Sequence, residues 1–539
     1  MQQLVRGLFS HFSFYFIFAI FLTWIIHLAK VFRSEQFSFK DFLKKNRVGL
    51  SLCLVFSILC FLAVPPTYRT LSDETNLVSV SQSMLRDRTS DLTIMAFRYF
   101  GKINPVISET PTRPLMFSFF VFLLHSLLGY SPKNAYLLNF ISLFSYLSLI
   151  FIVVRKRASF QVALASILLV MSYPVLIFAA TSAGFDLFAS LFFALSLLLT
   201  FVFLIKPSSE RFGLLVATLV LFANTRYESV GFLFVILGLL AVFRKITREH
   251  LQKNLSLIVS TPFLLFPLVV QRYLGHGKYQ NSPGVAVFSR SHIVTNLTEF
   301  WTSLWDFRFV LPYASGLTLV ALFSFVLLIV TLWFQRQSLK TRVPPPFLAI
   351  ACFCVILNVT IYLAYYFGNY IHPASTRFYI TLSTVFALTP IALHLARPGF
   401  LKDSTVLLFS IVVFFIYFPT AVDGRFTSAL DTIRERTYEI EFLKAHPNPE
   451  LMILSDRPGL FTVDNYGAAD FDFANKRTTQ ILNDLKRHAV NEIYAFQKIS
   501  YATGNVTPET ILDPIFKLEK QLEIQISDRE YLRISSVKQ

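Results

Sequence analysis

Charge is scarce in this chain. Asp, Glu, Lys and Arg make up 15% of its 539 residues, against 54% hydrophobic residues that include 60 Phe. So few charged side chains cannot cover the surface of a soluble protein of this length, which excludes an ordinary soluble globular fold. Cysteine is scarcer still. The four present, Cys53, Cys60, Cys352 and Cys354, all lie in apolar blocks, and none has metal-finger spacing with His. They read as small packing residues within helices. The last 117 residues, 423–539, hold no cysteine, so no disulfide reports on their compartment. No segment alternates like a porin strand, no repeat of 20–50 residues is evident, and no low-complexity tract stands out. The first apolar block, 8–29, is long and lacks a small-x-small cleavage site near its end, so it reads as a retained helix.

Apolar blocks are what the chain has instead. They run to roughly 16–22 residues, near the ~20 needed to cross ~30 Å of hydrocarbon as a helix. The net charge of +17 is divided unevenly. Residues 1–422 carry 34 basic and 14 acidic side chains (+20), and residues 423–539 carry 15 and 18 (−3). The basic excess therefore belongs to the membrane part, and a nucleic-acid partner is excluded for the polar tail.

Basic residues cluster in short loops that belong on the cytoplasmic side. The clusters are Lys30, Arg33, Lys40, Lys44, Lys45 and Arg47; Arg155-Lys156-Arg157; Lys206 and Arg211; Arg244, Lys245, Arg248 and Lys253; Arg336, Lys340 and Arg342; and Arg397 and Lys402. With all of them on one side, spans fall at 8–29, 47–64, 134–154, 160–179, 184–205, 255–270, 317–335, 347–367, 378–396 and 403–421. Two short arms, 212–222 and 228–243, bring the total to about twelve. A block at 115–130 is too short to span without misplacing the 155–157 cluster, so it is expected to lie at the outer interface. The loops 65–113 and 271–316 and the tail then fall outside.

The expected fold is thus an α-helical polytopic membrane domain, 1–422, with an interfacial helix in its first external loop and a small extracytoplasmic α/β domain, 423–539. In the tail, a helix at 429–445 leads to a strand at 451–454, a helix near 475–488 to a strand at 492–496, and a helix near 508–520 to strands near 522–526 and 530–535.

Charges that are costly to bury point to chemistry in such a chain. Asp73-Glu74 follows a span by about nine residues and can sit at the outer face, as a general base, as ligands for a divalent cation, or as a solvated loop pair. Glu109 and Arg113 flank a proline-rich entry to the interfacial block, where Arg113 can meet a phosphate or snorkel. Asp186 opens a span, where a helix N-terminus favours a carboxylate in any case. Arg226-Tyr227-Glu228 breaks the two arms, as an anion site or as an internal ion pair. His372, Arg377 and Tyr379 stand at the outer mouth of the next-to-last span, in the same leaflet as Asp73. Acids and arginines converge on one side of the bilayer, as a phosphate-bearing lipid with a sugar head would require.

On these residues the chain resembles the GT-C superfamily of membrane glycosyltransferases, nearest to the protein O-mannosyltransferases and the lipid A aminoarabinose transferases. The ordered series is Asp73-Glu74, then Arg113-Pro114-Leu115 opening the block that ends at Leu128-Gly129, then 134–139, the small-residue segment 179–186, Thr225-Arg226, and Arg377-Phe378-Tyr379. Where that family often has Lys or His before two prolines, this chain has Thr112-Arg113-Pro114. The resemblance implies inverting transfer from a polyprenyl-phosphate sugar donor to a lipid, glycan or protein acceptor. It implies Asp73 as base, Glu74 or Glu109 as orienting or ion-holding acids, and Arg226 and Arg377 as ligands of the donor phosphate. Asp186, Tyr227, Glu228, His372 and Tyr379 would line the pocket. A transporter or flippase of lipid-linked sugars is the competing class, since broken helices with polar residues serve transport too.

Overall fold

The computed structural model describes residues 2–275, 286–308, 314–334, 344–397, 399–423, 430–448 and 450–538. The Arg336, Lys340 and Arg342 cluster lies outside the described residues. Helix α1 (Gln2–Ser34) and α2 (Phe39–Ala63) are joined by the first basic cluster. The segment after α2 carries α3 (Leu71–Asp87), β1 (Leu92–Tyr99) and β2 (Lys102–Glu109). Then follow α4 (Met116–Leu128), α5 (Lys133–Arg155), α6 (Phe160–Met171), α7 (Pro174–Ala180), α8 (Asp186–Ile205), α9 (Ser209–Ala223), α10 (Ser229–Val242), α11 (Arg248–Lys253) and α12 (Leu255–Leu274). The remaining helices of this part are α13 (Arg290–Ser303), α14 (Ser315–Phe334), α15 (Pro345–Ala364), α16 (Ile380–Ala396) and α17 (Asp403–Asp423).

Among the described residues nine helices are long and apolar enough to cross a membrane. This is a multi-pass membrane protein. The expected span 160–179 is instead α6 and α7, bent by 78°. Pro174 is the cause: it opens α7 at a position where its missing N–H costs nothing, and the residue before it is pushed out of helical geometry. The arms α9 and α10 have 15 and 14 residues, each too short to cross alone. Twelve crossings result only if the bent pair counts as one and each arm as another.

The expected interfacial block forms α4, but most of it is buried against α3, α5 and α1. Its large exposed residues are Leu127 and Leu128 at the end. Phe117, Phe119 and Val121 are fully enclosed, so α4 packs into protein rather than laying an open face on lipid. The apolar pattern of a short helix cannot by itself say whether protein or lipid covers it.

The tail begins with α18 (Asp431–Ala445), β3 (Leu451–Ser455), α19 (Gly459–Thr462) and β4 (Gly467–Ala469). It continues with α20 (Phe471–Lys476), α21 (Thr478–Lys486), β5 (Glu492–Ser500), β6 (Lys517–Gln525) and β7 (Glu530–Lys538). The helix expected near 508–520 is absent. A single 3-10 turn at Pro508–Thr510 leads instead to β6, which pairs with β7 through a bulge between Lys520 and Leu522. Pro508 and Pro514 deny a helix its donors across that stretch.

The sheet is larger than the tail alone can make. Its order is β2-β1-β4-β3-β5-β7-β6, so two of seven strands come from the segment between α3 and α4. β3 runs parallel to β4 and β5, and the outer pairs are antiparallel. The β1–β2 hairpin closes through Phe100-Gly101, both at positive φ, the two-residue turn that matches strand twist. β1 enters the sheet where Ala96 faces Ala468, both fully buried. Ala96→Asp would place an unpaired carboxylate there. Thermal unfolding should show a loss of about 3 kcal/mol or more; an unchanged melting temperature would contradict this seam.

Candidate active site

The site starts at the first turn of α3. Glu74 reaches back over that turn: its Oε1 accepts from the backbone N–H of Thr70 (2.7 Å) and Arg69 (3.0 Å), and its Oε2 from the N–H of Ala183 (2.9 Å). One buried carboxylate therefore caps α3 and clamps the turn between α7 and α8. Asn139 on α5 holds the same turn from the other side, donating to the carbonyls of Ser182 (2.7 Å) and Gly184 (2.8 Å). The turn leaves no spare room, since a Cβ at Gly184 would lie 3.2 Å from Asp186 Oδ2 and 3.3 Å from Ser182 Oγ. Asp186 is thereby fixed as the opening residue of α8.

Asp73, next to Glu74, turns the other way. Arg113 donates to its Oδ1 through Nε (3.0 Å) and Nη2 (2.6 Å), and Arg377 pairs with its Oδ2. Arg377 also lies 3.4 Å from Asp186 Oδ2. Arg226 pairs with the other oxygen of Asp186 and with Glu228, and Tyr362 donates to Glu228 at 2.6 Å. The result is one alternating row: Arg113, Asp73, Arg377, Asp186, Arg226, Glu228. Three guanidiniums face three carboxylates, mostly buried. Alternation offsets the desolvation that would make any one of them intolerable alone. The six side chains come from the α4 entry, α3, the turn before α16, α8 and the α9–α10 break.

Aromatic rings box Arg226. Its guanidinium lies 5.0 Å from the Phe185 ring centre, 5.1 Å from Phe378 and 5.4 Å from Tyr362, and Tyr362 stacks on Phe378 at 5.2 Å. Beside this box is a small cavity of about 20 Å³. Arg226, Arg377, Asp186 and Glu228 make its charged end, and Phe193, Phe222 and Phe232 its apolar wall. Its lining, cations at one end and rings along the other, has the polarity of a site for the anionic head of an amphiphile; a prenyl chain would enter only as the rings part.

The other expected site residues are placed as follows. Glu109 ends β2, half-buried, in register with Leu92. The Tyr227 ring lies under the Arg272 guanidinium at 5.8 Å. His372 accepts from the N–H of Ala374 (3.2 Å), and Tyr379 donates to the carbonyl of Gly368 (2.5 Å), so each fixes its own segment. Among the described residues no group of three His, Cys, Asp or Glu could hold a metal ion. Asp73 is taken up by guanidiniums and Glu74 by backbone amides. Tyr362 and Asn358 were not foreseen as site residues, and Asn139 and Phe185 were expected only as members of the segments 134–139 and 179–186, without a role of their own. Asn358 and Tyr362 carried a signal, being polar groups four residues apart on one face of an apolar span.

Burial alone would raise the Asp73 carboxyl, but Arg113 and Arg377 overcome it and hold Asp73 well below the usual carboxylate range. For Glu74 burial wins, and its carboxyl is pushed up to about 7 despite the backbone donors at Ala183, Thr70 and Arg69. The folded protein then binds a proton that the unfolded chain, near 4.5, has already released. Stability should therefore fall as pH rises from about 4.5 through 7. Glu74→Gln should reduce that slope in thermal unfolding between pH 5 and pH 8, leaving the part contributed by Glu439, whose carboxyl burial also pushes up to about 7. A wild-type curve flat over the same window would contradict a buried, protonated Glu74.

No protein-family model matches this chain, and no curated protein matches it by sequence. Solved structures do. ArnT from Cupriavidus metallidurans, crystallised with undecaprenyl phosphate, superposes with a TM-score of 0.51 at 12% identity, covering 91% of this chain and 98% of that one. The apo form of the same protein gives 0.47 over the same shares. The chain therefore shares its fold with ArnT.

Proposed function

We propose that this protein is a membrane glycosyltransferase that moves a sugar from a polyprenyl-phosphate donor onto an acceptor hydroxyl. The observation that carries the reading is Arg377, shared between Asp73 and Asp186 at the mouth of the Phe-walled cavity that Arg226 also faces. The ArnT structure with the same fold was crystallised with undecaprenyl phosphate, a ligand of the class this cavity suits.

In this reading the donor's phosphate takes the charged end of the cavity and its prenyl chain the Phe wall. The acceptor oxygen attacks the anomeric carbon from the side opposite the phosphate, so the configuration inverts. The new C–O bond forms as the sugar–phosphate C–O bond breaks. The acceptor's proton passes to Asp73, and the leaving phosphate keeps the electron pair. Arg226 and Arg377 stabilise that developing charge. The products are a glycoside and a polyprenyl phosphate.

Asp73 is a weak base while two guanidiniums hold it. A phosphate at Arg377 competes for the same donors and relieves Asp73, which returns toward the ordinary carboxylate range as the donor loads. Glu74 acts as a positioning residue, setting the first turn of α3 and the turn that leads to Asp186. The positive-inside pattern supports an outer-face site. The seven-stranded sheet goes with it: Gln82 of α3 bonds Asn465, and Tyr130 bonds the carbonyl of Val463. Acceptor binding by residues 423–539, on the non-cytoplasmic side, follows from that position.

Asp73→Asn separates this reading from a transporter. Loss of a general base costs about 10²–10⁴ in rate, read by mass spectrometry of surface glycans and lipids from cells carrying each form. Purified Asp73→Asn should bind undecaprenyl phosphate about tenfold more tightly, or ~1.4 kcal/mol, because Arg377 and Arg113 are no longer held by a charge. Unchanged glycans, or weakened binding, would overturn the assignment.

A further inference from the structure

The helix α13 is neither a span nor part of the sheet, and its three faces differ. At about 100° per residue, Val294, Leu297 and Trp301 form one stripe; they are 67%, 50% and 60% exposed. Trp305, just past the helix, extends the stripe and meets Trp301 edge-on at 6.0 Å. The next stripe round is Ser291, Thr295, Thr298 and Thr302, all exposed and polar. The third face turns inward. Asn296 donates to the carbonyls of Leu363 (2.9 Å) and Tyr365 (3.0 Å), and Phe300 packs edge-on against Tyr370 at 5.0 Å. Glu299 accepts from Asn369 (3.0 Å).

Two stripes of opposite character beside one protein face need two solvents. Water suits the hydroxyls and would leave the tryptophans exposed; hydrocarbon suits the tryptophans and would strand the hydroxyls. A headgroup–acyl boundary satisfies both, and indole rings favour that depth. The end of α13 is also tied to a spanning helix: Ser315, the first residue of α14, donates to the carbonyls of Ser303 (2.9 Å) and Asp306 (2.8 Å).

We propose that α13 lies in the lipid–water interface beside the cavity, with Leu297, Trp301 and Trp305 in the acyl boundary and Asn296 and Phe300 bracing the segment that carries Tyr362. The bilayer surface then becomes one support of the cavity wall, since Tyr362 lines it and the α13 contacts follow directly in sequence. The interfacial helix expected at 115–130 has its counterpart here, in a different external loop.

The placement rests on the membrane reading and not on the transferase reading, so it can fail while that one stands. The chain has four tryptophans, and Trp24→Phe/Trp333→Phe leaves only Trp301 and Trp305. In proteoliposomes, lipids brominated near the glycerol end of the acyl chain should quench these two more strongly than lipids brominated near the methyl end. Aqueous iodide should quench them weakly. Stronger quenching from the methyl end would put the helix in the hydrocarbon and overturn the proposal. Quenching by iodide alone would put it in water, and quenching by neither would mean that protein, such as a second copy, covers it; either result also overturns it. If the double variant does not fold, Trp301→Phe/Trp305→Phe serves in reverse: the glycerol-end quenching of the full chain should be lost.

Discussion

Arg377 holds two carboxylates apart and together. Without a cation between them, Asp73 and Asp186 would be two buried like charges on neighbouring helices, and each would lose one of its two guanidinium partners. Removing one member of such a buried row costs about 3–5 kcal/mol, because it leaves an uncompensated charge rather than a gap. The row therefore fixes where α3, α8 and the turn before α16 meet. It also sets the chemistry available. A neutral row of three guanidiniums and three carboxylates admits a further anion only by exchanging partners, and the exchange at Arg377 is the one that, in the proposed mechanism, loosens Asp73.

The scaffold around the row is arranged to keep it in place. Glu74 and Asn139 pin the α7–α8 turn from opposite sides, so Asp186 does not depend on its own helix for position. The rings of Phe185, Phe378 and Tyr362 confine the Arg226 guanidinium, which otherwise has a long flexible stem. The arms α9 and α10 are short so that their break reaches the row instead of a membrane surface. Each basic cluster among the described residues stands at the opposite end of its helix from the row. The charge bias that sets orientation and the ion pairs that build the site agree on which end is which.

Much of this was legible in the sequence because buried charge in an apolar chain is rare. Asp73, Asp186, Arg226, Glu228 and Arg377 were singled out by cost alone, and all five stand in the row with Arg113. Nine of the expected spans were legible from apolar length; the bend at Pro174 was not. The hairpin 92–109 was not, because a β-pair in a loop only shows its purpose once Ala96 meets Ala468, more than 370 residues later. Partner-dependent roles were equally hidden. Glu74 and Asp73 are adjacent and chemically alike, yet one faces backbone amides and the other guanidiniums. His372 and Tyr379 sit near Arg377 in sequence but bond within their own segment. Polarity at a helix mouth marks a neighbourhood; which side chain turns inward is decided by packing.

The most direct measurement is an experimental structure with undecaprenyl phosphate bound, read at Arg377. The expected result is a phosphate within hydrogen-bond reach of Arg226 and Arg377, a prenyl chain along Phe193, Phe222 and Phe232, and Asp73 released from Arg377. A phosphate bound elsewhere, with the pairing of Arg377 to Asp73 and Asp186 intact, would contradict the competition between donor and base on which the mechanism depends.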